Sequence, residues 1–123
     1  MTNNQDINLT DILINLSPFD IVNDAFKFRN NQEEEISLKN VAILREKYIN
    51  DDIELINGVI IYLAIIKKGT MPGLSYLIKT YKDFKKKNIT NTNKIVNHIK
   101  NRILFEKERL AEKKHNKELF MKK

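Results

Sequence analysis

The stretch IELINGVIIYLAIIKKG (residues 53–69) decides the fold of this 123-residue chain. Wound as a helix, it carries aliphatic side chains on every side. Such a helix belongs at the centre of a bundle, because each of its faces needs a covering neighbour. Its longest apolar run, 58–66, is far short of the roughly 20 residues that cross a bilayer. We therefore predict a buried helix over 53–68, with Lys67 and Lys68 favouring its C-terminal end and Gly69 as its left-handed cap.

Two short helices are predicted upstream of this central one. Residues 9–16 place leucines and isoleucines on one face. Ser17 then caps a second helix that starts at Pro18, which suits a first helical position. A polar, acidic connection over 29–35 is expected to follow it. The apolar side of the second helix consists of Ile21, Val22, Ala25, Phe26 and Phe28.

Three more helices complete the predicted bundle. Ser37 is expected to cap a third helix over 38–49. The helix that begins at Leu74 presents apolar residues on one face and lysines on the other, and Asn88 is its expected left-handed stop. No strand pattern occurs anywhere, so the predicted class is all-α, a compact bundle of five to six helices. The last helix spans 92–120, capped by Thr90 or Thr92.

The charge of the chain is segregated along its length. Residues 1–60 contain 5 Lys/Arg and 11 Asp/Glu, whereas residues 61–123 contain 17 and 5. The net charges are therefore −6 and +12, which points to an anionic partner for the C-terminal half, nucleic acid being the commonest. An AT-rich genome is the alternative source of so many lysines, since it favours Lys, Asn and Ile. That bias explains their number better than their segregation.

The composition argues against catalysis and metal binding. The chain has no cysteine, which excludes disulfides and thiolate metal sites and fits a reducing compartment. His98 and His115 are too far apart to bind one metal ion, and His98 is expected on the basic face near Arg102, touching solvent or phosphate. No phosphate loop or nucleophile motif occurs. We expect a cytoplasmic protein that is not an enzyme and has no cofactor or metal.

One segment resembles a known family. SYLIKTYKDFKKKNITNTNKI (75–95) resembles the end of the C-terminal domain of DnaD-like and DnaB-like replication initiation proteins of Gram-positive bacteria and their phages. Tyr76, Thr80 and Phe84 occupy the family's three motif positions, of which the last two are usually aliphatic and Trp. The basic stretch, the Gly-Ile pair and the capping Thr correspond to Lys85, Lys86, Lys87, Asn88, Ile89 and Thr90. The similarity covers most of residues 20–95 in order and spacing, and its upstream part is mainly one of hydrophobic pattern.

The resemblance implies a function and a domain organisation. Residues 1–105 would form a helical DnaD-like domain and 106–123 a charged helical extension. The 123 residues leave no room for the family's N-terminal winged-helix domain, so we expect a stand-alone version from a phage, plasmid or mobile element. The implied role is non-specific DNA binding in replication initiation, assisting helicase loading. The partners considered are single- or double-stranded DNA, a replicative helicase or its loader, and a second copy in a homo-oligomer.

Two sets of alternatives stay open from the residues alone. The aromatic side chains can be core rather than ligand contacts, and the lysine run can be a solvated helix end. A small phage or plasmid protein can also act through protein contacts alone, as an inhibitor or recruiter of a host replication or defence factor, with the acidic half as its surface. Another alternative is a small helical bundle that neutralises a toxin or bacteriocin. The predicted nucleic-acid-binding residues are Tyr76, Lys79, Lys82, Phe84, Lys85, Lys86, Lys87, Lys94, Lys100, Arg102 and Arg109.

Overall fold

A computed structural model of the chain describes residues 4–121, with side chains from 9 to 114. Within this range the chain is all-helical, and the predicted all-α bundle of five to six helices is confirmed. No helix in the described range is long and apolar enough to cross a membrane. The helices are α1 (Asn4–Asn15), α2 (Pro18–Ala25), α3 (Asn31–Lys47), α4 (Ile53–Ile66), α5 (Leu74–Lys86) and α6 (Thr92–Met121).

Helix α4 lies at the centre of the bundle, as its all-round apolar sequence predicts. It contacts α1, α2, α5 and α6, while α3 closes the far side against α2 and α5. Helix α6 runs beside α4 in the same direction, with Ile95 against Gly58 and His98 against Tyr62. Gly58 has no side chain where Ile95 presses on the α4 backbone, so the two helices approach closely there. The buried residues of α4 are Leu55, Ile56, Asn57, Gly58, Val59, Ile60 and Leu63.

Asn57 is a fully buried polar residue in this apolar helix. Its Nδ2 donates hydrogen bonds to the carbonyl oxygens of Leu13 and Leu16, each at 2.9 Å. These carbonyls lie at the end of α1, where the last turn of a helix has no intrahelical donor. Asn57 therefore fastens the end of α1 to the central helix.

The predicted acidic connection before the third helix is wrong. Helix α3 begins at Asn31, and the Asn30 side chain caps it by accepting a hydrogen bond from the Glu33 amide at 2.8 Å. Ser37, predicted as the cap, is instead buried within the helix. Glu33 and Glu34 of this segment lie in the first turn of α3, where the positive end of the helix dipole favours them.

Other helix ends agree with the sequence in part. Ser17 caps α2 through the Asp20 amide, and Pro18 is its first residue, both as predicted. Helix α1 starts at Asn4, five residues earlier than the predicted 9. Helix α2 ends at Ala25, so Phe26 and Phe28 follow it rather than belong to it. Helix α6 is capped by neither predicted threonine, because Asn91 accepts the hydrogen bond from the Lys94 amide at 2.9 Å.

Three residues near helix ends have positive φ. Gly69 (φ 82°) and Asn88 (φ 59°) do so as predicted. Lys68 (φ 52°) does so as well, which the sequence did not predict. A left-handed conformation costs an ordinary L-residue about 1–2 kcal/mol. The connection after α4 thus contains a lysine in a strained backbone conformation. A hydrogen bond from the Lys27 amide to the Gly69 carbonyl, at 2.9 Å, ties this connection to the segment after α2.

Candidate nucleic-acid interface

The outward face of α5 borders an open groove of about 420 Å³. Lys79, Lys82 and Lys86 line it, because spacings of three and four residues bring side chains to one face of a helix. All three are exposed, and none forms an ion pair within the part of the chain that the structure describes. The structure therefore brings together three of the predicted lysines. The full lining is Tyr62, Ile66, Tyr76, Lys79, Thr80, Lys82, Asp83 and Lys86.

Tyr76 supplies an exposed aromatic ring to this groove. Its side chain is 39% exposed, and the Nζ atom of Lys67 lies 4.2 Å from the ring centroid. A cation over an aromatic face is attracted by the ring quadrupole, so Lys67 adds a fourth positive charge at the rim. The sequence indicated only a helix-end role for Lys67. Its place beside Tyr76 depends on how the turn over 70–73 orients α5 against α4, which the local sequence does not predict.

Tyr62, which lines the groove, belongs to an aromatic cluster that three helices form together. Tyr62 stacks on His98 with ring centroids 4.7 Å apart, and both rings meet Phe84 edge-on. Phe84 is only 1% exposed, so it belongs to the core and its prediction as a nucleic-acid contact is wrong. His98 is packed against rings rather than presented to phosphate. Burial lowers the pKa of His98, and Lys87 lowers it further.

Lys85 faces a different part of the bundle. Asp51, just before α4, accepts hydrogen bonds from the Tyr81 hydroxyl at 2.6 Å and from Lys85 Nζ at 3.0 Å. Tyr81 is fully buried and stacks on Tyr48 at 4.0 Å. The Tyr81 hydrogen bond lowers the pKa of Asp51, burial opposes this, and Lys85 adds to the lowering. Burial and then Asp51 raise the pKa of Tyr81. Lys85 thus braces α5 against the start of α4 and lies outside the groove.

The remaining predicted cations do not join the α5 groove. Lys87 pairs with Asp83 at 3.1 Å, Lys94 is exposed near the start of α6, and Lys100 lines a separate groove of about 260 Å³ with Leu104. The lining of the α5 groove therefore includes none of these three lysines.

The two arginines of α6 are engaged within their own helix. Arg102 and Arg109 pair with Glu106 at 2.8 and 3.9 Å. Their guanidinium carbons lie 4.9 and 5.9 Å from the Phe105 ring centroid. Ligand binding there would have to displace these contacts. The side chains of His115, Leu119 and Phe120, in the predicted extension, lie outside those that the structure describes.

Comparisons with family models, with curated proteins and with solved structures find no match. The resemblance to DnaD-like proteins therefore stays a prediction. Among the described residues, no cluster of acidic or histidine side chains is arranged to hold a metal ion. The groove on α5 offers cations and an aromatic ring, which suits binding of a polyanion.

Proposed function

We propose that this chain binds DNA without sequence preference through the α5 groove. The observation that carries the proposal is the set of three lysines on one helix face, Lys79, Lys82 and Lys86, beside the exposed ring of Tyr76. Lysines that neutralise phosphates release condensed counterions, which drives association with any sequence. An exposed aromatic ring can stack on a base, and such stacking is also possible with any sequence.

The chemistry of the groove favours non-specific binding over base reading. Lysine is a flexible point charge, whereas reading of guanine edges relies on the planar fork of arginine. The groove lining contains no arginine, and Arg102 and Arg109 are held by Glu106. Affinity that follows phosphate density rather than sequence is therefore expected.

The cellular role in this proposal comes from the family resemblance. A DnaD-like domain would act in replication initiation and assist helicase loading, with a replicative helicase or its loader as protein partner. The lysines on α5 support the DNA-binding part of that role.

A second candidate function, action by protein contact alone, is favoured by the surface of α1 and α2. Residues 1–26 contain four aspartates and no Lys or Arg. Ile14 and Phe19 are exposed among them, at 45% and 37%. An acidic surface with exposed apolar side chains fits a basic protein partner, and binding through it would not need the α5 lysines.

The test is a fluorescence-anisotropy titration with single-stranded and duplex DNA across a salt series. The test variant is Lys82→Glu/Lys86→Glu, and the control is Lys39→Glu/Lys47→Glu, which makes the same charge change on the exposed side of α3. Each lost phosphate contact lowers the salt slope by about 0.7 for a single strand or 0.9 for a duplex. Two lost contacts then weaken binding at 0.1 M salt by about 25- to 60-fold.

The control should keep most of the wild-type affinity. Equal binding by the two variants, or affinity that does not fall with salt, would overturn the proposal. Lys85 is left unchanged in this design, because a carboxylate at that position would face Asp51 and disturb the fold. Circular dichroism of each variant is the check that it is folded.

A further inference from the structure

A second basic groove lies where the α2–α3 and α4–α5 connections meet. It has a volume of about 320 Å³. Lys27, Arg29 and Lys68 contribute three positive charges, and Glu33 contributes the one negative charge of the lining. Lys27 and Arg29 are not among the predicted nucleic-acid-binding residues, because they lie in the acidic half of the chain. The other lining residues are Phe28, Gly69 and Thr70.

Two consecutive residues border the two grooves. Lys67 lies over Tyr76 at the rim of the α5 groove, and the next residue, Lys68, lines the second groove. The hydrogen bond from the Lys27 amide to the Gly69 carbonyl fixes the two connections against each other. Lys67 and Lys68, at the end of α4, thus place one positive charge beside each of the two grooves.

Lys68 occupies a backbone position that does not suit lysine. Its φ of 52° is left-handed, a conformation that Gly and Asn adopt more readily. Residues held in unfavourable backbone conformations concentrate at functional sites, where the side chain is needed for another reason. Nothing in the packing calls for a long side chain at Lys68, which is exposed. Because Lys68 is exposed, its charge rather than its packing is the property that a ligand would use.

The ion pair in the second groove is weak enough to exchange for a phosphate. Arg29 and Glu33 lie 3.0 Å apart, but the Arg29 side chain is 89% exposed. Exposed pairs of this kind contribute little to stability, whereas arginine binds phosphate with two parallel hydrogen bonds.

Lys68 also borders a third, narrower pocket with Arg109 and Lys113. That pocket measures only about 10 Å³ and contains Glu106, so it has no room for a phosphate. Of the two described pockets that Lys68 lines, the second groove is the one with room for a phosphate.

We propose that DNA bound in the α5 groove continues across Lys67 and Lys68 into the second groove, where Lys27, Arg29 and Lys68 hold further phosphates. This extended path rests on the proposed function, since it needs DNA in the α5 groove. It makes the binding site longer than α5 alone and places part of it in the acidic half of the chain.

The test compares a short and a long probe on the full chain. Oligothymidylates of about 5 and about 20 nucleotides span the range of single-strand site sizes, and matched duplexes of mixed sequence cover the double-stranded form. The variants are Lys68→Asn and Lys27→Ala/Arg29→Ala, with Lys39→Ala/Lys47→Ala as the control. Each removed phosphate contact should weaken binding of the long probe by about 5- to 8-fold at 0.1 M salt. Binding of the short probe should stay within about twofold of wild type.

Lys68→Asn separates binding from folding. Because Asn tolerates positive φ, this variant should melt at a higher temperature than wild type while binding the long probe more weakly. Wild-type affinity for the long probe in both groove variants, with binding still lost in Lys82→Glu/Lys86→Glu, would overturn the extended path and leave the proposed function standing. If Lys82→Glu/Lys86→Glu instead binds the short probe as tightly as wild type does, the proposed function is overturned, and the extended path with it.

Discussion

Replacing Asn57 tests whether one buried side chain fastens α1 to the rest of the bundle. Asn57 is fully buried, and its Nδ2 donates to the Leu13 and Leu16 carbonyls at 2.9 Å each. In Asn57→Ala both acceptors lose their donor, and no other described side chain donates to them. Because the carbonyls lie at the end of a helix, the backbone of α1 cannot replace the lost bonds.

The expected cost follows from those two bonds. A buried acceptor that loses its partner costs roughly 1–3 kcal/mol. The bond to Leu16 is only partly buried, so water can replace it and its cost falls at the low end of that range. Alanine recovers a few tenths of a kcal/mol through its higher helix propensity. Asn57 Oδ1 is buried and has no hydrogen-bond partner among the described residues, so its removal offsets about 1 kcal/mol of this cost. The free energy of unfolding should therefore fall by about 1–3 kcal/mol, against the roughly 5–15 kcal/mol typical of a domain.

Asn57→Asp adds a dependence on pH. The new carboxylate would face two carbonyl oxygens without water, so burial would raise its pKa above the unfolded value of about 3.9. A group whose folded-state pKa is raised keeps its stability below the unfolded pKa and loses it as pH rises toward the folded value. The stability gap between this variant and wild type should thus widen from pH 3 to pH 7.

Urea unfolding followed by circular dichroism measures both effects. Asn97→Ala is the matched control, because Asn97 is an exposed helical asparagine on α6. The control should change the free energy of unfolding by no more than about 0.5 kcal/mol. A loss below about 1 kcal/mol in Asn57→Ala, or a pH-independent gap in Asn57→Asp, would refute the hydrogen-bonding role of Asn57.

Three further predictions concern packing and pH. Gly58→Ala should destabilise the fold by about 1–2 kcal/mol, because the cost of overpacking against Ile95 exceeds the gain in helix propensity. In a double-mutant cycle, Ile95→Ala in the same chain should relieve this clash. Asp51→Asn should reduce the loss of stability below pH 4, since Tyr81 and Lys85 lower the pKa of Asp51 and its contribution disappears as pH falls through the folded value. Tyr81→Phe should remove a loss of stability above pH 10, because the pKa of Tyr81 is raised in the fold and its contribution disappears as pH rises past the unfolded value. Unfolding curves from pH 3 to 11 check the last two, and an unchanged pH profile in either variant would contradict them.

Most of the fold could be predicted because its signals are local. The all-round apolar α4 specifies the centre of the bundle, and Pro18 and Gly69 mark helix ends through restricted or permissive backbones. The start of α3 was missed for an equally local reason. Asn30 lies in the predicted polar connection, although an Asn three residues before a Glu is also a typical start of a helix.

The site could be predicted only in outline. Helical spacing placed Lys79, Lys82 and Lys86 on one face, as the structure has them. It could not separate them from Lys85, whose partner Asp51 is 34 residues away in sequence. Pairings at that separation depend on how α5 packs against the start of α4, and no local pattern records it. Phe84 likewise matched a family motif position while its helical face directed it to the core.

The lysines of this chain have two explanations, composition and function, and they diverge at Lys68. An AT-rich genome favours lysine, but it favours asparagine as well. Asn88 shows that this chain uses asparagine where φ must be positive. At residue 68 the same backbone requirement is met by lysine, although Asn would relieve the strain without departing from the bias. Composition therefore accounts for the number of lysines and leaves the choice at residue 68 unexplained. A requirement for positive charge between the two grooves accounts for it.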